Sequence, residues 1–280
     1  MRNGSIDYFR LVAAFGIVWF HSQAPFHRLA YLGLPFFLIL LGMPSGEGLR
    51  HRLRRLLVPF VIWSAVYGAV NTAQALSRGA PPFDWLQANM LLTGTALHLW
   101  FLPFACLVAL LGTLLRAQAP LLLAPILAAL LVACFATPTM PPFGQWAFGI
   151  VPALIGLAYF RLGSRALLSL TLSGAVLFAL RDDPDNATIV WGSALAIFVT
   201  SIHLPSTWLS ELCARLSLTV YLAHILVQVI GGKLGLSGYA LAGFGIVGSL
   251  LLALALEAAN RRGGQGILRR VRPKIGAGKA

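Results

Sequence analysis

The stretch IDYFRLVAAFGIVWFH, residues 6–21, is an apolar segment that carries Arg10 and His21. Successive residues of an α-helix rotate by about 100°, so these two side chains fall within roughly 20° of one helix face. At a rise of about 1.5 Å per residue, they are about 16 Å apart along the axis. One helix therefore carries a permanent cation at one level and a titratable imidazole at another.

The composition is that of an all-α integral membrane protein. Of the 280 residues, 58% are hydrophobic and 10% are charged, whereas soluble domains carry about 25% charged residues. Apolar stretches recur along the whole length without a long polar block, which predicts a single helical bundle and no soluble domain. We expect residues 1–260 to form the transmembrane domain and residues 261–280 to form a basic, poorly ordered cytoplasmic tail.

Ten segments are apolar enough to be candidate spans, since a spanning helix needs about 20 residues, and fewer where the bilayer thins. The second segment contains Pro35 and is expected to be tilted or partly broken, which is tolerated where the break lines a protein cavity. The segments are about 6–21, 28–43, 54–76, 96–115, 121–137, 143–160, 165–180, 187–203, 214–231 and 236–258.

The distribution of Lys and Arg orients this bundle. With a cytoplasmic amino terminus, sixteen of the 21 basic residues fall on the cytoplasmic side, four fall outside and Arg10 lies within the membrane. This bias predicts that both termini are cytoplasmic. The net charge of +13 then lies mostly beside anionic lipids, so we expect membrane lipids and no nucleic acid as partners. We also expect the first segment to be retained rather than cleaved as a signal peptide.

The three cysteines, Cys106, Cys134 and Cys213, stand singly in or beside apolar segments. Metal sites and redox motifs need paired spacing, so these side chains are predicted to be small buried hydrophobic groups. No metal cofactor is expected.

Arg10 and His21 both have structural interpretations. Arg10 lies about one turn into its helix, where its side chain could reach the interface or pair with Asp7 at the i, i+3 spacing. A lone interfacial histidine such as His21 is more often structural than catalytic. The two together favour a functional interpretation, because ionisable groups in a spanning helix usually face an interior cavity.

The basic run RHRLRRLLVPFVIW, which starts at residue 50, places Arg52 and Arg55 three positions apart on one face of a helix start. One interpretation is a topogenic cluster that holds this loop in the cytoplasm. The other is a phosphate-binding site, because guanidinium groups suit bidentate binding of phosphate. Spacing alone does not decide between the two.

Two further segments carry polar side chains in apolar surroundings. HLWFLPFAC places His98 and Trp100 at the outer end of the fourth segment, where tryptophan is typical of an interfacial belt. LSLTVYLAHILV places Ser217, Tyr221 and His224 on one stripe of the ninth helix, which must face protein or water. We expect an interhelical hydrogen bond for Ser217, whereas Tyr221 and His224 could equally line a cavity.

Taken in order, these features resemble the membrane-bound acyltransferase 3 family. They are the Arg and His of the first segment, PFFLILLG of the second, the basic run, HLWFL of the fourth and LSLTVYLAH of the ninth. The resemblance extends from Ser5 to Val229. The family comprises bacterial ten-helix enzymes that transfer acetyl or other acyl groups, commonly from a coenzyme A thioester, to hydroxyls of cell-surface and exported carbohydrates.

The resemblance implies an active site made from several parts of the chain. His21 would be the general base or the transiently acylated nucleophile, since imidazole can act as either near neutral pH. Arg10 would orient the donor or stabilise negative charge, and the Arg-x-x-Arg element, Arg52 and Arg55, would bind the phosphates of acetyl-CoA. The other candidates, which would bind substrate or line the cavity, are His98, Trp100, Ser217, Tyr221 and His224.

The resemblance further implies a bacterial inner-membrane enzyme that acylates a polysaccharide, a lipid-linked glycan or a related carbohydrate, with proteins of polysaccharide synthesis or export as partners. Two other functions stay open at this point. The same Arg and His residues would line the path of a transporter or flippase, although the sequence shows no internal repeat of the kind many transporters have. The third interpretation is a non-catalytic membrane subunit of a polysaccharide export machine.

Overall fold

The computed structural model describes residues 3–43, 48–115, 141–157 and 184–271, and the regular structure in these ranges is entirely helical. This agrees with the all-α class predicted from composition. The helices are α1 (Gly4–His21), α2 (His27–Ala30), α3 (Gly33–Gly42), α4 (Leu49–Ser77), α5 (Met90–Thr93), a 3-10 turn (Leu97–Trp100) that leads into α6 (Phe101–Leu115), α7 (Phe143–Leu157), α8 (Pro184–Ser201), α9 (Trp208–Lys233) and α10 (Gly238–Val271).

Several of these helices are apolar enough to lie in a membrane. Four are also long enough to cross one, namely Leu49–Ser77, Leu97–Leu114, Trp208–Lys233 and Gly238–Arg261. Shorter apolar helices cover His27–Gly42, Phe143–Leu157 and Thr188–Ser201. The described residues thus form a helical membrane protein, while the count of ten spans is not confirmed. Two of the ten predicted segments, 121–137 and 165–180, lie outside the described residues.

The second predicted segment is broken, as its sequence suggested. Its residues form two helices, α2 and α3, which are separated at Tyr31 and Leu32. Pro35 lies in the first turn of α3, where the missing amide proton removes no intrahelical hydrogen bond. The break brings Tyr31 to the end of α1, where its ring stacks on Phe20 at a centroid distance of 4.1 Å.

The last helix, α10, continues past residue 258, where the sequence analysis ended the final segment. It includes residues 261–271, which were assigned to the basic tail, whereas residues 272–280 lie outside the described chain. Near its predicted end, Glu257 pairs with Arg215 of α9 at 2.9 Å and with Arg261 at 3.0 Å. The pair with Arg215 joins α9 and α10 on the side that the charge bias assigns to the cytoplasm, whereas the pair with Arg261 lies within α10.

The start of α1 is capped by the segment that follows α8. The Asn3 side chain accepts a hydrogen bond from the Ser5 amide, and its Nδ2 donates to the Ile202 carbonyl at 2.8 Å. The amide of Gly4 donates to the Leu204 carbonyl at 2.9 Å. Of the amide groups that this helix start leaves without intrahelical partners, that of Ser5 is satisfied by Asn3 and that of Gly4 by a distant part of the chain.

α1 lies at the centre of the hydrophobic core, because its buried side chains belong to three different clusters. Ala13 packs with residues of α3, α7 and α8. Ala14 and Val18 pack with residues of α9 and α10. Ile17 packs with residues of α3, α4, α6, α7 and α9. The helix that carries His21 is thus fixed from several directions.

Two glycines allow the backbones of α1 and the α2–α3 segment to touch. A Cβ added to Gly33 would lie 2.4 Å from the Ala13 carbonyl oxygen, and one added to Gly16 would lie 2.5 Å from the Ala30 carbonyl oxygen. Both distances are shorter than any ordinary Cβ contact. Small residues give membrane helices this close approach, and here it holds Tyr31 beside the end of α1.

We predict that Gly33→Ala destabilises the protein, because the added methyl group meets backbone rather than a movable side chain. Overpacking of this kind costs about 1–3 kcal/mol. The midpoint of thermal unfolding in detergent, followed by size-exclusion chromatography, should therefore fall relative to the wild type.

The matched control is Gly243→Ala in α10, where nothing lies within 4 Å of an added Cβ. Its unfolding midpoint should stay the same or rise, because alanine favours helix more than glycine does. Equal midpoints for the two variants would contradict the proposed close approach.

Candidate active site

A cavity of about 410 Å³ opens where α1, the α2–α3 break, the 3-10 turn, α7 and α9 meet. Four residues that the sequence singled out line it, namely His21, His98, Trp100 and Tyr221. We call it the histidine cavity. Its other lining residues are Ile17, Phe20, Tyr31, Leu34, Ala96, Leu97, Gln145 and Ile225.

Two imidazole rings at this cavity, those of His21 and His98, each contact the ring of His224. The ring centroids of His21 and His224 are 5.0 Å apart, and those of His98 and His224 are 5.3 Å apart. His21 is exposed, His98 is 7% exposed and His224 is completely buried. His224 does not line the cavity, so it lies behind the other two rings.

Tyr221 and His98 are fixed by each other and by the backbone of α9. Tyr221 Oη donates to the His98 carbonyl at 2.5 Å, and His98 Nε2 lies 3.3 Å from the Leu222 carbonyl. A carbonyl oxygen can only accept a hydrogen bond, so Nε2 carries the proton in this contact. The neutral His98 ring then has its lone pair on Nδ1.

His224 has the opposite arrangement of its proton and lone pair. Its Nδ1 donates to the Tyr221 carbonyl of the same helix, which leaves the lone pair of the neutral ring on Nε2. Nε2 is buried and has no hydrogen-bond partner among the described residues. Buried polar atoms without a partner are rare in proteins, so this nitrogen calls for a functional explanation.

Tyr67 of α4 also contacts this region of α9. Its hydroxyl donates to the Leu222 carbonyl at 2.8 Å and accepts from the Leu226 amide at 3.2 Å. These two backbone groups are partners in a regular α-helix, so the hydroxyl inserts between them. The ring of Tyr67 contacts that of His98 at a centroid distance of 4.9 Å. The sequence analysis missed Tyr67, because nothing local in α4 marks it.

Two residues that line the histidine cavity were missed as well. Gln145 is a lone amide in the apolar segment 143–160, a signal that the sequence did offer. Its Oε1 is buried without a hydrogen-bond partner in the described part of the chain. Tyr31 had no comparable signal, because its position depends on the break between α2 and α3.

Arg10 does not line the histidine cavity. Its guanidinium pairs with Asp7 at 3.7 Å, so the predicted i, i+3 ion pair is present, and its side chain is 34% exposed. On the face of α1 between Arg10 and His21, Ala14 and Ile17 are buried in the core. Arg10 and His21 share one face of α1 but are therefore separated by packed side chains.

The remaining predicted residues also lie away from the cavity. Ser217 is buried, but its Oγ donates to the Ala214 carbonyl at 3.0 Å. This bond is within one helix, so the predicted interhelical bond was wrong. Arg52 donates to the Leu41 carbonyl at the end of α3, and Arg55 is exposed on α4.

The chemistry available at the histidine cavity is proton transfer. An exposed imidazole lies beside two rings whose lone pairs are on defined nitrogens, which suits removal of a proton from a hydroxyl. Within the described ranges, no group of three His, Cys, Asp or Glu side chains is arranged as a metal site. Cys213 is buried and Cys106 is half-buried, whereas Cys134 lies outside those ranges.

Comparison with known protein families supports a catalytic interpretation. The family model of acyltransferase 3, described as an acyltransferase domain, matches residues 3–258. Comparisons with curated proteins and with solved structures found no match. The matched range contains all the segments that line the histidine cavity and the basic start of α4. Because this match covers nearly the whole chain, the protein belongs to the acyltransferase 3 family.

Proposed function

We propose that this membrane acyltransferase moves an acetyl or similar acyl group from acetyl-CoA to a hydroxyl of a polysaccharide, a lipid-linked glycan or a related carbohydrate. The observation that carries the proposal is the histidine cavity, in which the exposed His21 lies 5.0 Å from the buried His224, ring centroid to ring centroid. Family membership supports the acyl transfer, and the chemistry of the rings supports a hydroxyl acceptor.

In this proposal His21 is the general base. It takes the proton of the acceptor hydroxyl while the hydroxyl oxygen bonds to the thioester carbonyl carbon. The carbon–sulfur bond then breaks, and the proton returns from the imidazolium to the leaving thiolate of coenzyme A. Base catalysis by a positioned side chain contributes about 10²- to 10⁴-fold to such a reaction.

The donor would bind at the opposite end of the helices. Arg52 and Arg55 lie at the start of α4, and Arg52 contacts the end of α3. The charge bias predicts that this end is cytoplasmic, where acetyl-CoA is available. Guanidinium groups there would bind the donor's phosphates, and Arg10 would orient the donor arm or stabilise negative charge.

The donor arm needs a path from this end to the histidine cavity. Ala13, Ala14 and Ile17 are buried in three core clusters, so the Arg10–His21 face of α1 is filled between the two levels. The path would therefore run beside this face rather than along it. In the same orientation His21 lies toward the outside, so we propose that the carbohydrate acceptor enters from that side in a bacterial inner membrane.

We predict that His21→Ala lowers acyl transfer at least about 100-fold, because the general base is lost. Purified protein in proteoliposomes would be given radiolabelled acetyl-CoA and a carbohydrate acceptor, and label on the glycan would be counted. The matched control is His203→Ala, which removes an exposed imidazole outside the cavity and should leave the rate within twofold of wild type.

Wild-type transfer by a folded His21→Ala variant would remove His21 from the mechanism. If label accumulates on the protein and this labelling needs His21, then His21 acts as an acylated nucleophile and not as a general base. Movement of a lipid-linked glycan across the bilayer without acylation would contradict the enzyme and favour a transporter.

A second prediction concerns the donor site. Arg55→Ala should raise the KM for acetyl-CoA about tenfold with little change in kcat, because one charge-assisted hydrogen bond to phosphate is lost. Arg52→Ala should raise the same KM and also lower thermal stability, since its bond to the Leu41 carbonyl is lost.

The control for both variants is Arg54→Ala, which removes an equally charged, exposed side chain from the same helix turn. It lies outside the Arg-x-x-Arg spacing and should leave the donor KM within twofold. If all three variants have the same KM for acetyl-CoA, the basic run orients the protein in the membrane and does not bind the donor.

A further inference from the structure

The buried imidazole of His224 has one nitrogen with a hydrogen-bond partner and one without a partner among the described residues. The N–H at Nδ1 is donated to the Tyr221 carbonyl, and the lone pair at Nε2 has no partner among the described residues. The side chain is completely buried, and it touches both rings that line the histidine cavity. Nε2 of His224 can thus accept a hydrogen bond, and no described residue donates one to it.

Geometry and proton placement indicate which neighbour supplies the donor. Ring nitrogens lie about 1 Å from the ring centroid, so centroid distances of 5.0 and 5.3 Å let facing nitrogens approach to about 3 Å, a hydrogen-bond distance. His98 donates its Nε2 proton to the Leu222 carbonyl and has only a lone pair at Nδ1. The lone pairs of His98 Nδ1 and His224 Nε2 cannot form a hydrogen bond with each other. Of the two neighbouring rings, only that of His21 can therefore donate to His224 Nε2.

We propose that His224 is the positioning residue for His21, and that its Nε2 accepts a ring N–H of His21 when the acceptor substrate binds. A small rotation of the exposed His21 ring would form this bond, because His224 itself is held by α9. The bond fixes which nitrogen of His21 carries the proton. The other nitrogen then presents its lone pair to the acceptor hydroxyl in the cavity.

This inference rests on the proposed function, in which His21 accepts the hydroxyl proton. During transfer, His21 becomes an imidazolium that donates one N–H to His224 Nε2. His224 gains no proton and forms no covalent bond, and the proton taken from the hydroxyl leaves with the coenzyme A thiol. A hydrogen bond from a charged donor is about twice as strong as a neutral one, so the contact strengthens as the charge develops.

The first test reads the rings directly and does not depend on activity. Full-length protein labelled with ¹⁵N-histidine contains six histidines, and nitrogen NMR in lipid bilayers distinguishes protonated from unprotonated ring nitrogens. We expect His98 to be protonated at Nε2 and His224 at Nδ1. With the carbohydrate acceptor present, the Nε2 signal of His224 should differ between the wild type and His21→Gln, in which the imidazole donor is lost.

The second test is kinetic and compares two replacements of His224. His224→Leu removes the acceptor and should lower kcat about 10- to 100-fold while leaving the KM for acetyl-CoA within twofold. His224→Gln offers an amide oxygen near the position of Nε2 and should recover at least about a tenth of the wild-type kcat.

The control for the loss of a buried polar group is Gln228→Leu, one turn further along α9. Gln228 is 7% exposed, and its side chain donates to the Val18 carbonyl at 2.7 Å, so its loss affects packing between α9 and α1. It should lower the unfolding temperature with less than a twofold change in kcat. If kcat falls in proportion to the unfolding temperature in all three variants, then His224 has only a structural role.

The outcomes separate this inference from the function on which it rests. If the wild-type protein transfers no acyl group, the proposed function is overturned. The NMR result then still decides whether His21 and His224 are hydrogen-bonded. Transfer that needs His21 but is unchanged in a folded His224→Leu variant overturns the positioning role alone. A His224 Nε2 signal that is protonated, or that does not respond to His21→Gln, overturns it as well.

Discussion

Every buried backbone carbonyl in a membrane protein needs a donor from the protein, because the hydrocarbon core holds no water to supply one. The Leu222 carbonyl has two donors, the hydroxyl of Tyr67 and Nε2 of His98. These bonds join α4 and the 3-10 turn to α9 at a single point. Tyr221 then bonds back to the carbonyl of His98. The orientations of Tyr67 and His98 therefore depend on one backbone group, the Leu222 carbonyl, which is not itself part of the cavity wall.

The core around α1 serves both packing and chemistry. Small buried residues let the α2–α3 segment approach this helix closely, and the packed side chains of the core separate Arg10 from His21. Arg10 lies at one end with the carboxylate of Asp7, and His21 lies at the other with two more imidazoles. A helix that is filled along its middle can hold different chemical environments at its two ends. This separation suits the proposed reaction, in which the donor and the acceptor approach from opposite sides of the membrane.

The sequence predicted features with a local signal and missed those that depend on tertiary contacts. Helices α1, α4 and α9 follow from long apolar runs, and His98 and Tyr221 stood out as polar groups within such runs. Tyr67 was missed because its function is to bond to the backbone of another helix. The bond of Ser217 was assigned to the wrong partner, because a helix wheel shows a polar face but not whether the hydroxyl bonds within its own turn.

Other features lay between these two cases. The break in the second segment followed from Pro35 and the short apolar run, but its location at Tyr31 and Leu32 did not. Gln145 carried a readable signal as a lone amide in an apolar segment and was overlooked. The convergence of His21, His98 and His224 required the fold, since their spacing in sequence gives no indication that two of these imidazoles line one cavity and that the third lies behind them.

The cap at the start of α1 has a consequence for how this protein is made. The opening turn of α1 is completed by the carbonyls of Ile202 and Leu204, which belong to a segment that is translated much later than α1. Until those residues have been synthesised, the amide of Gly4 and the side chain of Asn3 lack their native partners. Docking of the start of α1 therefore needs the segment that follows α8. The histidine cavity likewise assembles only after α9 has been translated, because Tyr221 and Ile225 form part of its lining.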